Sequence, residues 1–310
     1  MSKILITMLF LLFFNVAYTK EAKSYIEDLN AIEANLLSDL SVSRLELSKL
    51  SKYKNQFSER EKYFYDVLDA HLLLLGSDLS ASEKILEQLS SQTSSKSLEA
   101  MRYVLLASIH HQRGDSVKAF LATDKSLDLL NAIERPIYKA KVLINAVSFY
   151  KDSDLLEFAI EHGRRAVYFA NKTKNSYIIC ATSYELGAIE LIAKKYMMAE
   201  NRLHSARHHC EKEGSTLSIH AVDYSRLELM LETGKLKEAR NLAEVIYPKI
   251  KDFGWSVLTS AIQTLFARLL FKEGSYEEAE KLALEAYKLA NKINEKKART
   301  SCCFVGRSLY

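Results

Sequence analysis

Residues that break helices are scarce in this sequence. Two prolines and nine glycines occur among 310 residues, well below average usage, so turns are few and short. With 48% hydrophobic and 26% charged residues, the chain has enough apolar surface to fold, which excludes a disordered protein. The composition therefore favours long helices joined by tight turns.

A large excess of charge of one sign is also missing. The formal net charge is +4, and no long basic run occurs. Because binding to a phosphate backbone needs a concentrated basic stripe, nucleic acid is excluded as the main partner.

Catalytic signatures are absent as well. The sequence has no Gly-x-Ser-x-Gly, no phosphate-binding glycine loop, no His-Glu-x-x-His and no Cys-x-x-Cys. We therefore expect a protein that is not an enzyme and that holds no cofactor.

Long hydrophobic runs are confined to the N-terminus. Lys3 precedes an apolar run over Ile4–Phe14, and the small residues Ala17 and Thr19 follow. This run is too short to span a bilayer comfortably, and no second apolar segment of about 18 residues follows it. The pattern predicts a cleaved signal peptide at 1–19, with an uncleaved N-terminal anchor as the alternative. Either one predicts an exported protein, periplasmic in a bacterium or tethered to the membrane and facing the periplasm.

The rest of the chain repeats at a fixed period. Small residues recur in steps of 40, and one step of 38 leads back to Ala81. The recurring alanines are Ala119, Ala159, Ala199, Ala239 and Ala279. Five positions before them stand Gly114, Asp154, Lys194, Gly234 and Gly274. Seven positions after them stand Ser126, Ala166, Ala206, Ile246 and Ala286, and twelve before them Ala107, Val147, Gly187, Leu227 and Ala267.

These offsets have a physical cause. Residues seven apart lie on one helical face, and small side chains there let a neighbouring helix approach closely. The residue five before each alanine marks a reversal that needs a left-handed or strained turn. A unit is therefore a hairpin of helix A and helix B, for example Ser256–Lys272 followed by Tyr276–Asn291. Because one hairpin cannot bury its apolar face alone, the copies must stack.

The repeated columns resemble those of tetratricopeptide repeats (TPRs) of the longer variety, about 40 residues each. The resemblance rests on the small residue of helix A, the Gly-x-(Tyr/Leu)-x-x-Ala turn and the small residue of helix B, in six copies over 61–297. It implies an all-α, right-handed superhelical solenoid of stacked antiparallel helix pairs. HEAT-like helix pairs are the alternative fold. Residues 20–60 would then form an N-terminal capping region, and 298–310 a partial seventh repeat or a C-terminal tail.

The arrangement also resembles a narrower group. The chain combines a predicted signal peptide, a leading helix such as Tyr25–Lys49, the phrase "FSEREKYFYDVLDAHLLLLG" and 40-residue repeats. This combination is similar to the sensory part of bacterial membrane GGDEF diguanylate cyclases. No later transmembrane run and no GGDEF sequence occur in this chain, so cyclase activity does not follow from the resemblance.

Two functions fit these features. The first is an exported, non-enzymatic scaffold for a protein or peptide ligand, the sensory or interaction module of a bacterial signalling system. The second is the truncated N-terminal sensor portion of a membrane-bound diguanylate cyclase or kinase.

One stripe of helix B has the residue types of a metal site. Glu200, His204, His208 and Glu211 share one face of a helix, and two histidines four residues apart can bind Zn²⁺ or Cu²⁺ if further ligands converge. These columns belong to the solvent-facing side of helix B. We interpret them as a solvated surface and predict no metal site.

A ligand surface is expected on the inner face, which repeats of this kind build from helix A. The repeat columns place a mixed polar and aromatic set there, and Tyr and Arg are residue types that often anchor interfaces. The alternative is a groove that is merely solvated. The set comprises His111, Gln112, Lys141, Lys151, Tyr184, Tyr224, Glu228, Arg268 and Phe271.

Cysteine spacing suggests one disulfide. Cys180 opens a helix A and Cys210 closes its helix B, with the turn at Lys194–Lys195 midway between them. Residues equidistant from the turn of an antiparallel hairpin lie side by side, so the spacing favours a Cys180–Cys210 bond that an oxidising compartment would preserve. Two free thiols, packed as small apolar groups, are the alternative.

Overall fold

The computed structural model describes residues 24–36, 40–89, 95–254 and 256–300, with the side chains of the last helix described as far as Lys292. Within these ranges the chain forms fourteen α-helices and two short 3₁₀ turns. The predicted signal peptide and residues 301–310 lie outside the described residues. Among the described helices, none is both long enough and apolar enough to cross a membrane.

Two helices precede the repeats. They are α1 (Ile26–Asn35) and α2 (Leu40–Ser51). The prediction of a single leading helix over Tyr25–Lys49 is therefore wrong. Each of the two helices buries residues of its own, which include Leu29 on α1 and Leu47 on α2.

The other twelve described helices follow as six sequential pairs, and the first helix of each pair has 17 residues. We keep the names helix A and helix B for the two members of a pair. The pairs are α3 (Glu59–Leu75) with α4 (Leu79–Gln88), α5 (Lys96–Gln112) with α6 (Ser116–Asp128), α7 (Pro136–Asp152) with α8 (Leu156–Thr173), α9 (Ser176–Ile192) with α10 (Tyr196–Glu213), α11 (Thr216–Glu232) with α12 (Leu236–Phe253), and α13 (Ser256–Lys272) with α14 (Tyr276–Thr300).

The all-α fold of stacked helix pairs is confirmed. The small-residue columns are buried as their spacing predicts, with exposures of 0–5% for the alanines from Ala119 to Ala279. In the first pair the buried small residue is Ser82, whose hydroxyl donates to the Ala70 carbonyl oxygen at 2.7 Å, whereas the expected Ala81 is only half-buried. The last helix B also differs, because α14 continues past Asn291 to Thr300.

The turn column is left-handed in the five later pairs. From Gly114 to Gly274 its residues have φ between 58° and 85°, and Asp154 and Lys194 share this conformation with the glycines. A left-handed conformation is unfavourable for residues with a Cβ. The reversal between the two helices therefore requires this left-handed conformation, and glycine adopts it most easily.

Helices α9 and α10 approach closely and are cross-linked. A Cβ at Gly187 on α9 would lie 3.1 Å from side-chain atoms of Leu203 on α10, so the absence of a side chain permits this approach. At the end of the pair away from the turn, a disulfide joins Cys180 to Cys210, with Cα atoms 5.1 Å apart. The structure thus contains the bond that the spacing favours.

Helix α1 lies across the amino-terminal ends of the first helices A. At its start, the Tyr25 backbone N–H donates to Glu61 Oε1 on α3 at 2.6 Å. Near its end, Glu33 accepts from the Tyr138 hydroxyl at 2.8 Å and from Lys141 Nζ at 2.9 Å, both on α7. The apolar side of α1, including the fully buried Leu29, packs in the same core as α3, α5 and α7.

The Glu33 contact is electrostatically favourable despite its burial. Burial raises the pKa of this carboxyl, but the Lys141 ammonium and the hydrogen bonds from Lys141 and Tyr138 lower it more, so the pKa stays below the usual glutamate value. The ionised carboxylate therefore helps to hold α1 on α7.

We expect the double variant Cys180→Ala/Cys210→Ala to lower the free energy of unfolding by about 3–4 kcal/mol, because the bond closes a loop with a sequence separation of 30. Denaturant unfolding of the oxidised protein measures this loss. As a control, a reducing agent should destabilise the natural protein and leave the variant unchanged. Full alkylation of both thiols in unreduced, folded protein would contradict the bond.

We expect Glu33→Gln to weaken the docking of α1 by about 1 kcal/mol at neutral pH, because a charge-assisted hydrogen bond becomes a neutral one. Hydrogen exchange of residues 26–36 measures the change, and Glu27→Gln, at an exposed position on the same helix, is the matched control.

The pH dependence follows from the lowered pKa of Glu33 in the folded state. Its contribution is present above the usual glutamate pKa and is lost as the pH falls through the lower folded value. The hydrogen-exchange rates of the natural protein and of Glu33→Gln should therefore become equal in acid. An unchanged exchange rate in Glu33→Gln at neutral pH would show that this contact does not hold α1.

Candidate functional site

Polar side chains connect successive helices A. His111 Nε2 on α5 lies 2.9 Å from Asp152 Oδ2 on α7. Lys151 Nζ, also on α7, donates to Glu185 Oε2 on α9 at 3.1 Å, and Glu185 holds the pKa of Lys151 above its usual value although burial lowers it. We call the surface formed by the helices A the helix-A face. His111 and Lys151 lie on it, where each is engaged with the next helix A.

Helix α1 covers the beginning of the helix-A face. Lys141, expected to line a groove, instead forms an ion pair with Glu33 of α1, and its side chain is 21% exposed. A ligand at this position would have to compete with the chain's own helix. The first helices A are therefore poor candidates for a binding surface.

Beyond α7, four of the expected residues come together on three adjacent helices. Tyr184 on α9 lies near Tyr224, Ser225 and Glu228 on α11. Tyr224 in turn lies near Glu228 and the α13 residue Arg268. The two tyrosines and Glu228 are half-buried, and Arg268 is exposed. We call Tyr184, Tyr224, Glu228 and Arg268 the open surface.

The open surface is partly desolvated. Burial, with a contribution from Glu228, raises the pKa of Tyr224 to about 12. Burial also raises the pKa of Glu228, because the neighbouring Arg268 offsets it incompletely and Glu232 repels the charge. Arg268 itself donates from Nη2 to Glu232 Oε1 at 2.7 Å. The partly desolvated side chains of the open surface could therefore bind a hydrogen-bonding or cationic group of a ligand.

The two remaining members of the predicted set lie at the ends of helices A. Gln112 is half-buried at the end of α5, and Phe271 is 63% exposed at the end of α13. The Phe271 ring contacts that of Tyr276, the first residue of α14, with centroids 5.3 Å apart. Phe271 therefore lies at the last turn between helices, three residues after Arg268 on the same helix.

The histidine stripe of α10 carries ion pairs. Glu200 Oε1 accepts from Lys235 Nζ at 2.7 Å, and Glu211 pairs with Arg207. In the part of the chain that the structure describes, no three His, Cys, Asp or Glu residues are grouped so as to hold a metal ion. The two glutamates of the stripe are thus engaged with basic side chains.

Three residues that form the contacts described above were not predicted from the sequence. Asp152 and Glu232 occupy the same repeat column as Gln112, so a consistent use of that column would have found them. Glu33 lies outside the repeats, and its contact with Lys141 spans 108 positions in sequence. Nothing in the repeat pattern could indicate where α1 docks.

Comparison with known proteins identifies the fold. No protein-family model matches the sequence, and no curated protein sequence matches it significantly. Among solved structures, a Rap protein complexed with competence and sporulation factor has a TM-score of 0.69 at 14% identity, covering 89% of this chain and 79% of that one.

Two further structures are similar. The Rap conjugation gene regulator of the plasmid pLS20, in complex with the Phr* peptide, has a TM-score of 0.53 at 16% identity, covering 88% of this chain and 76% of that one. A putative kinesin light chain with nearly identical TPR-like repeats from Podospora anserina has a TM-score of 0.53 at 18% identity, covering 65% of this chain and 99% of that one. The protein is therefore a TPR-like repeat protein, structurally similar to Rap proteins and to kinesin light chain repeats.

Proposed function

We propose that this protein is an exported, non-enzymatic TPR-like scaffold that binds a peptide, or an extended segment of a partner protein, on its open surface. The observation that carries the proposal is the convergence of Tyr184, Tyr224, Glu228 and Arg268 from three successive helices A. Tyr and Arg are the types that most often dominate binding energy, through large contact area and directional hydrogen bonds.

The similar structures support the ligand class. One of the similar Rap proteins is in complex with the Phr* peptide, and another with competence and sporulation factor. Peptide binding on this chain would use the helix-A face beyond α7, because α1 already occupies the part before it. A role as the sensory or interaction module of a bacterial signalling system fits such a surface.

The export part of the proposal rests on the N-terminal sequence. The apolar run and the small residues after it favour cleavage near residues 17–22. Mass spectrometry of the mature N-terminus tests this, and an intact Met1 in soluble cytoplasmic protein would contradict it.

A second candidate function is the sensor portion of a longer membrane-bound diguanylate cyclase or kinase. It is favoured by the resemblance of the N-terminal segment and repeats to such sensors. Sequencing across the 3′ end of the gene discriminates between the two, because a downstream frame with a transmembrane run and a GGDEF sequence would identify a truncated sensor.

We expect Tyr184→Ala/Tyr224→Ala to weaken partner binding at least about tenfold, because both rings leave the centre of the open surface. The partner is captured from the producing cells, identified, and titrated against purified protein by calorimetry. Tyr168→Ala is the matched control, since Tyr168 is 56% exposed on α8, a helix B.

Circular dichroism must show unchanged helicity in both variants. Equal affinity of the natural protein and the double variant would move the binding site to the helix-B side or to the ends of the stack.

A further inference from the structure

Two neighbouring helices B expose large apolar side chains at their first turns. Val117, Phe120 and Leu121 lie at the start of α6, and Leu155 and Phe158 lie at the start of α8. Each of these five side chains is between 43% and 71% exposed. We call the five residues, together with Tyr150 near the end of α7, the apolar edge.

Ring contacts join the apolar edge into one surface. The Phe120 ring on α6 lies 6.1 Å from that of Phe149 on α7, measured between centroids. Phe149 is 5.7 Å from Tyr150, and Tyr150 is 5.7 Å from Phe158 on α8. The end of α7 thus connects the exposed side chains of the two helices B.

The repeat itself does not require apolar residues in these columns. In the pairs that contain α12 and α14, the same five columns hold only polar or charged residues. They are Lys235, Lys237, Glu238, Arg240 and Asn241 in one pair, and Ser275, Glu277, Glu278, Glu280 and Lys281 in the other. Because those pairs have the same fold, the apolar edge is not needed for folding, and an exposed apolar patch of this kind marks an interaction site.

Acidic residues surround the apolar edge. Residues 114–124 and 154–164 together contain five acidic and two basic residues. On α10, where Met197 and Met198 are also exposed, the corresponding residues 194–204 contain three basic residues and one acidic residue. The combination of exposed apolar and acidic side chains is therefore specific to α6 and α8.

Two of the carboxylates lie beside the half-buried Tyr150. Burial raises the pKa of the Tyr150 hydroxyl, and the charges of Asp124 on α6 and Glu161 on α8 raise it further. The bases Lys118 and Lys195 pair with other carboxylates, those of Asp115 and Glu157. Within the described part of the chain, Asp124 and Glu161 are left without an ion pair, on either side of an aromatic surface.

We propose that the apolar edge binds a segment of a partner protein that carries apolar side chains together with Lys or Arg. The apolar side chains of the segment would cover Phe120 and Phe158, and its cations would lie near Asp124 and Glu161. A cation is also attracted to the faces of exposed aromatic rings, so the same chemistry fits both parts of the surface. This site goes beyond the proposed function, because the open surface lies on α9, α11 and α13.

Peptide display tests the proposal, with short random peptides as the probe. Peptides that bind the natural protein are screened against Phe120→Ser/Phe158→Ser, and those that lose affinity at least about tenfold are sequenced. They should contain more Lys and Arg than the starting library, together with apolar residues. Tyr168→Ser is the matched control, since Tyr168 is 56% exposed on α8, and it should leave the affinity unchanged.

The acidic residues have their own test. Asp124→Asn/Glu161→Gln should weaken binding of the same peptides about threefold and reduce its dependence on salt, because two exposed ion pairs are lost. Glu238→Gln/Glu280→Gln, at exposed positions on α12 and α14, is the matched control. Circular dichroism verifies that each variant keeps its helices.

Several results would overturn the inference. One is that no peptide depends on Phe120 and Phe158, and another is that the dependent peptides show no excess of basic residues. Loss of the same peptides in Tyr184→Ala/Tyr224→Ala would place them on the open surface instead. A dimer that Phe120→Ser/Phe158→Ser dissociates in sedimentation would make a second copy of this chain the occupant.

Discussion

The close approach of neighbouring helices through small side chains is the constraint on which the rest of the structure depends. Ala119, Ala159, Ala199 and Ala239 are all fully buried, because each lies where a helix B meets adjacent helices. A larger side chain in this column would push the helices apart and open voids, and close-packed interiors tolerate such changes poorly. The regular spacing of the helices A, and so the alignment of their outward side chains, follows from this column.

That alignment sets what each part of the helix-A face can do. Where α1 lies across this face, Lys141 donates a hydrogen bond to Glu33, and α1 covers the surface. Where α9, α11 and α13 follow one another, Tyr184, Tyr224 and Arg268 lie close together, and both tyrosines are half-buried. The same repeated geometry thus produces a structural surface in the first half of the stack and a candidate binding surface in the second.

The periodic part of the molecule could be predicted from sequence, and the rest could not. The alanine columns, the left-handed turn at Lys194 and the Cys180–Cys210 pairing all depend on local spacing within a hairpin, which the sequence records directly. The docking of α1 depends on contacts over about a hundred positions, for which the repeats give no information. The repeat columns also could not show that no described helix covers the last pair, where Phe271 is 63% exposed.

We propose that a ligand binds where α9, α11 and α13 adjoin. The most direct test is site-specific photo-crosslinking in the producing cells, with a photoreactive amino acid at position 224 and, in a matched chain, at position 168. The account predicts one specific adduct from position 224, identifiable by mass spectrometry, and none from position 168, on α8. The same adduct from both positions, or from position 168 alone, would contradict it.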